Sequence, residues 1–204
     1  MRLFLAADID QPARTLIAAW MTDVAAAMSR DASKHSPADV AGEIKWVEPV
    51  NLHITLHFFG EVPTDATERL FAALAAPLTL PAFDLHLDDA GTFPRSGPPR
   101  VLWMGIGEGQ AALTRIHAAL QDRLRPLGWA DPADARPFSP HLTIGRVRTP
   151  AAAVGRAIRT ALERQPAPAF FPFPVNRLTL YQSRLSPRGP EYVPQVFIDL
   201  MPSD

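Results

Sequence analysis

Two copies of one short pattern, histidine-apolar-threonine-apolar, constrain the fold of this chain more than any other feature. One copy spans His53 to Leu56 (HITL) and the other spans His141 to Ile144 (HLTI). In a β-strand, side chains i and i+2 project from the same face, so each copy predicts an imidazole and a hydroxyl on one face and two apolar side chains facing a core. With 6 histidines in 204 residues, chance gives only about 0.35 His-x-Thr pairs. The alternative, that each histidine is a partly buried strand residue bonded to a neighbour, is favoured for one copy but not for two.

The sequence around the motifs predicts an order of elements that occurs approximately twice along the chain. This order is strand, helix, strand, strand, helix. This order predicts an α+β fold, a bilobal pseudo-duplicated structure with two antiparallel sheets facing a central cleft and helices on the outside. We expect residues 1–204 to form a single bilobal domain, with one motif in each of two pseudo-symmetric lobes. Hydrophobic periodicity and turn residues place the helices at 12–29, 64–76, 108–126 and 151–164, with Asp10 as a cap of the first. They place strands at 2–7, 44–47, 51–59, 82–90, 100–106, 141–147, 175–184 and 191–200, and loops at 30–43, 91–99 and 128–140.

Charge and cysteine content narrow the classes of function. The 20 Lys and Arg residues nearly balance the 21 Asp and Glu residues, which argues against a protein that coats duplex nucleic acid or anionic membrane through its overall charge. The chain has no cysteine, which excludes disulfides, thiolate nucleophiles and sites ligated by cysteine. The short apolar run at the start is too brief for a signal peptide, and no segment predicts a membrane span. We expect a cytoplasmic monomer with no membrane or protein partner.

Two imidazoles and two hydroxyls suit acid-base chemistry at phosphorus. A histidine has an unperturbed pKa of about 6.5, so one copy can be neutral while the other is protonated near neutral pH. Displacement at phosphorus needs a base that activates water, an acid that protonates the leaving oxygen, and donors to the other phosphate oxygens. A cyclic phosphodiester suits this set best, because ring strain assists the reaction and no metal is required. The residues themselves do not say which histidine is the acid.

Longer stretches of the chain resemble a known family, the RNA 2′,3′-cyclic phosphodiesterases, also called 2′-5′ RNA ligases, of the two-histidine phosphoesterase superfamily. The matching segments are RLFLA (2–6), WVEPVNLHITLHFFGEV (46–62), GTFP (91–94), RVLW (100–103), FSPHLTIGR (138–146), LYQS (180–183) and GPEY (189–192). The resemblance implies a bilobal fold with the motifs in a central cleft, no metal or organic cofactor, and hydrolysis of RNA 2′,3′-cyclic phosphate ends to a 2′-phosphate. It also implies that His53 is the proton donor, that His141 is the proton acceptor, and that Thr55 and Thr143 contact the phosphate.

Several other residues are weaker candidates for the site. Arg146 follows the second motif and could neutralise phosphate charge through a paired hydrogen bond. Phe93 and Tyr181 could stack a terminal base, whereas Trp103 is favoured as a core residue. The partners expected from these residues are RNA ends or small cyclic nucleotides.

The remaining histidines are assigned no catalytic role. His57 lies on the face of His53 but about 13 Å along the strand, too far for both to bind one zinc ion. It is predicted to be a structural residue at the end of the sheet. His86 is predicted to face solvent, and His35 and His117 have no supporting constellation.

Two further interpretations of the motifs stay open. The same groups could serve an RNA ligase that joins a cyclic-phosphate end to a 5′-hydroxyl through a 2′-5′ bond, because only the attacking hydroxyl differs. In the other interpretation the protein is a non-catalytic module that binds nucleotides or RNA ends, with the histidines holding phosphate.

Overall fold

The computed structural model describes residues 1–35, 40–132, 137–167, 172–187 and 189–202. Within these ranges the chain forms four α-helices and ten β-strands. The helices are α1 (Gln11–His35), α2 (Thr64–Ala75), α3 (Gln110–Leu124) and α4 (Ala152–Arg164). The strands are β1 (Arg2–Asp8), β2 (Ile44–Trp46), β3 (His53–Glu61), β4 (Phe83–Leu85), β5 (Leu87–Phe93), β6 (Val101–Ile106), β7 (Leu142–Val147), β8 (Phe173–Val175), β9 (Arg177–Ser186) and β10 (Gly189–Asp199). None of the described helices has the length and apolar character needed to cross a membrane.

Eight strands form one antiparallel sheet whose two halves meet at the motifs. The order is β10-β9-β1-β3-β7-β6-β5, and β2 is paired to β7. The contact between β3 and β7 consists of the single register pair Ile54–Leu142. Beyond this pair the two strands part, because β3 continues along β1 while β7 continues along β6 and β2. The strands that carry the two motifs therefore touch only where the motifs lie.

The α+β class and the antiparallel pairing are confirmed. The two motif-bearing sheets expected from the sequence are joined into one eight-stranded path, and β4 and β8 form a separate two-stranded sheet. The halves do not follow chain order, since β9 and β10 complete the half that contains β1 and β3, and β2 joins the half that contains β7. The division into two lobes with one motif each stays a prediction.

The apolar positions of both motifs lie in the core, as the alternation predicts. Ile54, Leu56, Leu142 and Ile144 are between 0% and 2% exposed. Because strand side chains alternate between faces, the histidine and threonine of each motif project from the other face of the sheet. Burial of the apolar residues therefore fixes which way the polar residues point.

The first helix is longer than the sequence predicted. Asp10 caps it as expected, because its carboxylate accepts a hydrogen bond of 2.8 Å from the backbone N–H of Ala13. The helix does not end at residue 29 but continues to His35. The sequence contains no glycine or proline between position 29 and Pro37, so nothing there breaks the helix. The rest of the predicted 30–43 loop includes residues 36–39, which lie outside the described ranges, as do residues 133–136 of the predicted 128–140 loop.

The predicted strand at 82–90 is two strands that belong to different sheets. It breaks at His86, whose backbone N–H donates to the carbonyl of Glu108 at 3.1 Å. Before this residue β4 pairs with β8, and after it β5 pairs with β6 as far as Phe93. The apolar alternation continues through the break, so the sequence gives no sign that the chain changes sheets, and the predicted 91–99 loop begins too early.

Candidate active site

His53 is the first residue of β3, and the preceding turn fixes its ring. Its Nδ1 lies 2.7 Å from the backbone carbonyl oxygen of Asn51. A carbonyl oxygen can only accept a hydrogen bond, so Nδ1 carries a hydrogen and donates it. Pro49–Asn51 form a short 3₁₀ turn just before the strand. Nε2 is therefore the nitrogen that remains to exchange a proton with a substrate.

His141 is held in the same way, although it lies one residue before β7 rather than inside it. Its Nδ1 lies 2.8 Å from the carbonyl oxygen of Ser139, so this nitrogen is again the donor. The edge of the ring meets Phe93 at a centroid distance of 5.1 Å and an interplanar angle of 84°. Phe93 in turn packs on Trp103 with ring centroids 5.1 Å apart. In both motif imidazoles, Nδ1 is therefore hydrogen-bonded to the main chain, and Nε2 is the nitrogen that these bonds do not use.

The register pair Ile54–Leu142 brings the two motifs together. In an antiparallel ladder the residues that flank such a pair lie on the opposite face from it. Each motif histidine therefore lies across the two strands from the threonine of the other motif. Thr55 is exposed, and the other three polar motif side chains are half-buried. The structure thereby brings the two predicted histidines and the two predicted threonines to one face of the sheet.

Three aromatic rings from three strands form a wall around His53. Phe4 lies 4.7 Å from the imidazole between ring centroids, and Tyr192 meets it edge-on at 5.2 Å. Tyr181 stacks on Phe4 at 5.4 Å and lines a cavity together with His53. Of the aromatic residues that the sequence singled out, Tyr181 therefore lies beside one histidine and Phe93 beside the other. Trp103 is half-buried, next to Phe93, and not in the core as predicted.

Asp8 is a site residue that sequence reasoning missed. It ends β1 directly opposite His53 in the sheet register. Its carboxylate accepts hydrogen bonds from the Tyr181 hydroxyl at 2.6 Å and from the Thr179 hydroxyl at 2.7 Å. Burial, and then the hydrogen bond to this carboxylate, raise the pKa of Tyr181, so the phenol stays protonated. The only signal in the sequence is an acidic residue at the end of an apolar strand.

The pKa of His53 lies below its ordinary value of 6.5. Burial is the main cause, because desolvation disfavours the charged imidazolium. The hydrogen bond to Asn51 and the negative charge of Asp8 raise the pKa and partly offset this effect. The positive charges of Arg146 and Arg14 lower it further. His53 therefore gives up its proton readily, and its protonation depends on the charges around it.

Arg146 reaches the face of the motifs because β7 contains a bulge. Trp103 pairs with Thr143 and Val101 pairs with Arg146, so two steps along β6 correspond to three along β7. The extra residue reverses the alternation of the strand and turns Arg146 to the face of Thr143. The side chain is exposed, and its charge acts on His53. Strict alternation would have put positions 143 and 146 on opposite faces.

A second polar cluster, which we call the α3 cluster, contains His57, His117, Gln121 and Asp131. The Asp131 carboxylate lies 3.5 Å from Nδ1 of His57 and 3.2 Å from Nε2 of His117. The Gln121 side-chain nitrogen lies 3.2 Å from each of these ring nitrogens. His117 also stacks on Phe138, and the ring centroids are 4.1 Å apart. Phe138 lies three residues before His141. The prediction that His117 lacks a constellation is therefore wrong.

His57 is buried in the middle of β3, with 5% of its surface exposed, and not at the end of the sheet. His86 is half-buried, and its Nε2 lies 3.6 Å from a carboxylate oxygen of Glu108. The side chain of His35 lies outside the described residues. No group of three or more His, Asp or Glu side chains in the described part of the chain is arranged to hold a metal ion.

Acid should destabilise the protein partly through His57. Burial lowers the pKa of this ring below 6.5, Asp131 opposes the shift, and His117 adds to it. Unfolding restores the ordinary pKa, so the unfolded chain binds the proton first as the pH falls. The contribution of His57 to the free energy of unfolding is therefore complete above pH 6.5, and it is lost as the pH falls through the folded-state pKa. Urea unfolding between about pH 8 and about pH 5 measures this decrease.

The variant His57→Asn should show a shallower decrease in the free energy of unfolding over that range. His86→Asn is the matched control, because His86 lies outside both clusters, and it should keep the slope of the wild type. A wild-type slope in His57→Asn would contradict the assignment.

The fold is that of a phosphoesterase, since the crystal structure of a phosphoesterase matches with a TM-score of 0.68 and 28% identity, covering 98% of both chains. A crystal structure of a Thermus thermophilus protein matches with a TM-score of 0.74 and 27% identity, covering 100% of both chains. Escherichia coli LigT complexed with 3′-AMP matches with a TM-score of 0.65 and 27% identity, covering 98% of this chain and 97% of that one.

Sequence comparison gives the particular family. The 2′-5′ RNA ligase superfamily profile matches residues 17–186. An Archaeoglobus fulgidus protein named RNA 2′,3′-cyclic phosphodiesterase is 33% identical, over 94% of this chain and 96% of its own length. The chain belongs to the 2′-5′ RNA ligase superfamily, as the resemblance indicated.

Proposed function

We propose that the protein hydrolyses RNA ends that carry a 2′,3′-cyclic phosphate and leaves a 2′-phosphate, with two histidines as acid and base. The observation that carries the proposal is the matched pair of imidazoles. In each, Nδ1 is hydrogen-bonded to a main-chain carbonyl and Nε2 has no hydrogen-bond partner among the described residues, and the two strands touch at the motifs. The family and the names of the relatives support a cyclic phosphodiester as the substrate.

The two proton transfers follow from this arrangement. Nε2 of His141 accepts a proton from water while the water oxygen forms a bond to phosphorus. The bond from phosphorus to the ribose 3′-oxygen breaks, and the leaving oxygen takes the proton from Nε2 of His53. The product is a 2′-phosphate with a free 3′-hydroxyl. The assignment of His53 as the acid and His141 as the base rests on the family resemblance, because the lowered pKa of His53 leaves its ring mainly neutral near neutral pH and is compatible with either role.

The remaining oxygens of the phosphate need hydrogen-bond donors as charge develops on them. We assign this role to the hydroxyls of Thr55 and Thr143 and to the guanidinium of Arg146, which share the face of the histidines. A guanidinium presents paired donors in a plane and suits two phosphate oxygens at once. In this scheme the acid, the base and the charge stabilisation all come from side chains, so the reaction needs no metal ion.

An oligonucleotide that ends in a 2′,3′-cyclic phosphate tests the proposal directly. We expect turnover in the presence of EDTA, with ³¹P NMR showing loss of the cyclic phosphate signal and appearance of a single 2′-phosphate. A 3′-phosphate product would contradict the orientation of the ribose. Activity that disappears in EDTA and returns with a divalent cation would contradict the scheme without metal.

The charge of Asp8 should set the alkaline side of the pH profile. His53 must be protonated in the free enzyme, so kcat/KM falls as the pH rises through the pKa of His53. Asp8 raises that pKa, and its removal lets burial, Arg14 and Arg146 lower it further. In Asp8→Asn, which can still hydrogen-bond to Tyr181, we therefore expect the alkaline limb to move to lower pH.

The measurement is kcat/KM against pH for Asp8→Asn, the wild type and Asp65→Asn. Asp65 is an exposed residue of α2, and its neutralisation should leave the profile unchanged. An alkaline limb that stays in place, or moves to higher pH, in Asp8→Asn would contradict the role of the carboxylate.

The family description favours a second candidate, an RNA ligase that forms a 2′-5′ bond. A 5′-hydroxyl would then take the place of water, and His141 would activate it in the same way. Incubation of a cyclic-phosphate fragment with a 5′-hydroxyl fragment and gel analysis separates the two reactions. A longer product supports ligation, whereas loss of the cyclic phosphate with no change in the length of either strand supports hydrolysis.

A further inference from the structure

A groove leads away from His53 on the side opposite the second motif. A cavity of about 220 Å³ beside this ring has Arg14, Val50, Tyr181 and Tyr192 among its lining residues. A second cavity of about 390 Å³ is lined by Gln11, Arg14, Thr15, Ala18, Pro49 and Val50. The two cavities share Arg14 and Val50 as lining residues. Because they share these residues, we interpret the two cavities as parts of one groove that runs from His53 to the surface of α1, and we call it the α1 groove.

Arg14 lies where the two cavities meet and has unused hydrogen-bonding capacity. It belongs to the first turns of α1, and its Nε is buried with no hydrogen-bond partner among the described residues. A buried polar nitrogen without a partner is costly, and such groups in native proteins call for an explanation. The guanidinium charge is also felt by His53 and Tyr181. An anion bound in the groove would compensate the guanidinium charge through the terminal amino groups, because the buried Nε itself is not open to the groove.

The proposed reaction fixes which part of the substrate lies on this side. The leaving 3′-oxygen belongs to the ribose and takes its proton from His53, so the terminal nucleoside lies beside His53. The rings of Tyr181 and Tyr192 line the cavity there and offer stacking surfaces to a base. From that nucleoside the RNA can continue only in the 5′ direction, through a phosphodiester.

We propose that the α1 groove binds the RNA strand on the 5′ side of the cyclic phosphate, and that Arg14 contacts the phosphodiester between the last two nucleotides. This inference rests on the proposed function and makes it narrower, because the preferred substrate becomes an oligonucleotide end and not a free cyclic nucleotide. The cavity beside His53 takes the terminal nucleoside, and the outer cavity takes its neighbour. Arg14, at the junction, is a specificity residue.

The test compares two substrates, a dinucleotide that ends in a 2′,3′-cyclic phosphate and adenosine 2′,3′-cyclic phosphate, which lacks the 5′ phosphodiester. We expect the wild type to have a higher kcat/KM for the dinucleotide. In Arg14→Met the ratio of the two kcat/KM values should fall by about tenfold, because a charge-assisted hydrogen bond to phosphate is lost. For the dinucleotide, the slope of log kcat/KM against log salt should become shallower by about 0.7.

Two further variants sharpen the comparison. Arg14→Lys keeps the charge but loses the paired donors, so its ratio should lie between those of the wild type and Arg14→Met. Arg115→Met makes the same change at an exposed position on α3 and should leave the ratio unchanged. Thermal unfolding of each variant identifies any loss that comes from misfolding.

The outcomes separate this inference from the proposed function. Equal activity of the wild type on both substrates, or an equal loss on both in Arg14→Met, would overturn the assignment of Arg14 and leave the hydrolase intact. Absence of activity on both substrates in the wild type would overturn the proposed function itself.

Discussion

Replacement of His141 by alanine should reduce kcat for hydrolysis of an RNA 2′,3′-cyclic phosphate by about 10²- to 10⁴-fold, the range of a lost general base. The ring is half-buried and makes one main-chain hydrogen bond, so its removal should leave thermal unfolding close to that of the wild type. Single-turnover rates with saturating enzyme measure the effect on the chemical step. His86→Ala, which removes a histidine outside the site, should retain wild-type activity.

The loss should not simply add to that of the other motif. If His53 and His141 act in one concerted displacement, the double variant should be little slower than the slower single variant. Multiplicative losses would show that the two rings contribute independently to the rate-limiting step and do not act as a unit. Full activity in His141→Ala would show that the second motif only holds phosphate, as in a binding module.

The second large effect concerns His53 and distinguishes the acid from the base. His53→Ala should also lose about 10²- to 10⁴-fold with the natural substrate, because the leaving 3′-oxygen is expelled without a proton. A substrate with sulfur in place of the 3′-oxygen releases a thiolate, which has a thiol pKa of about 8.5 and needs no protonation. With this substrate His53→Ala should recover most of its loss, whereas His141→Ala should recover none.

Recovery in His141→Ala instead would reverse the two roles. Recovery in neither variant would mean that His53 contributes binding and not a proton. The wild-type enzyme with both substrates is the reference, and each ratio is taken within one variant, so differences in protein concentration cancel.

The sequence predicted the centre of the site because its signal is local and periodic. Alternation within HITL and HLTI determines which side chains enter the core, and Ile54, Leu56, Leu142 and Ile144 are buried as predicted. The strands that carry the motifs and the antiparallel pairing follow from the same pattern. What the pattern does not contain is the register between distant strands. The single Ile54–Leu142 pair, which places the motifs together, is visible only in the structure.

The parts that were missed depend on departures from periodicity or on long-range packing. Arg146 faces the site because of a bulge, and the isolated glycine at position 145 is the local sign of it that the sequence analysis did not use. Asp8 lies opposite His53 because β1 is its neighbour in the sheet, although 45 positions separate them. His117 has Gln121 one turn further along α3, and only the connection of this pair to His57 depends on the packing of α3 beside β3. The contacts of Asp8 with His53 and of His57 with α3 depend on the packing of distant segments and leave no local trace.

The interleaving of the chain in the main sheet has a consequence for biosynthesis. β1 forms ladders with β3 on one edge and with β9 on the other, and Tyr192 of β10 covers the ring of His53. A nascent polypeptide leaving the ribosome therefore exposes an open edge of β1 until β9 has been synthesised. The half that contains β1 and β3 cannot be completed before the C-terminal strands are made, so activity should arise only after β10 has left the ribosome.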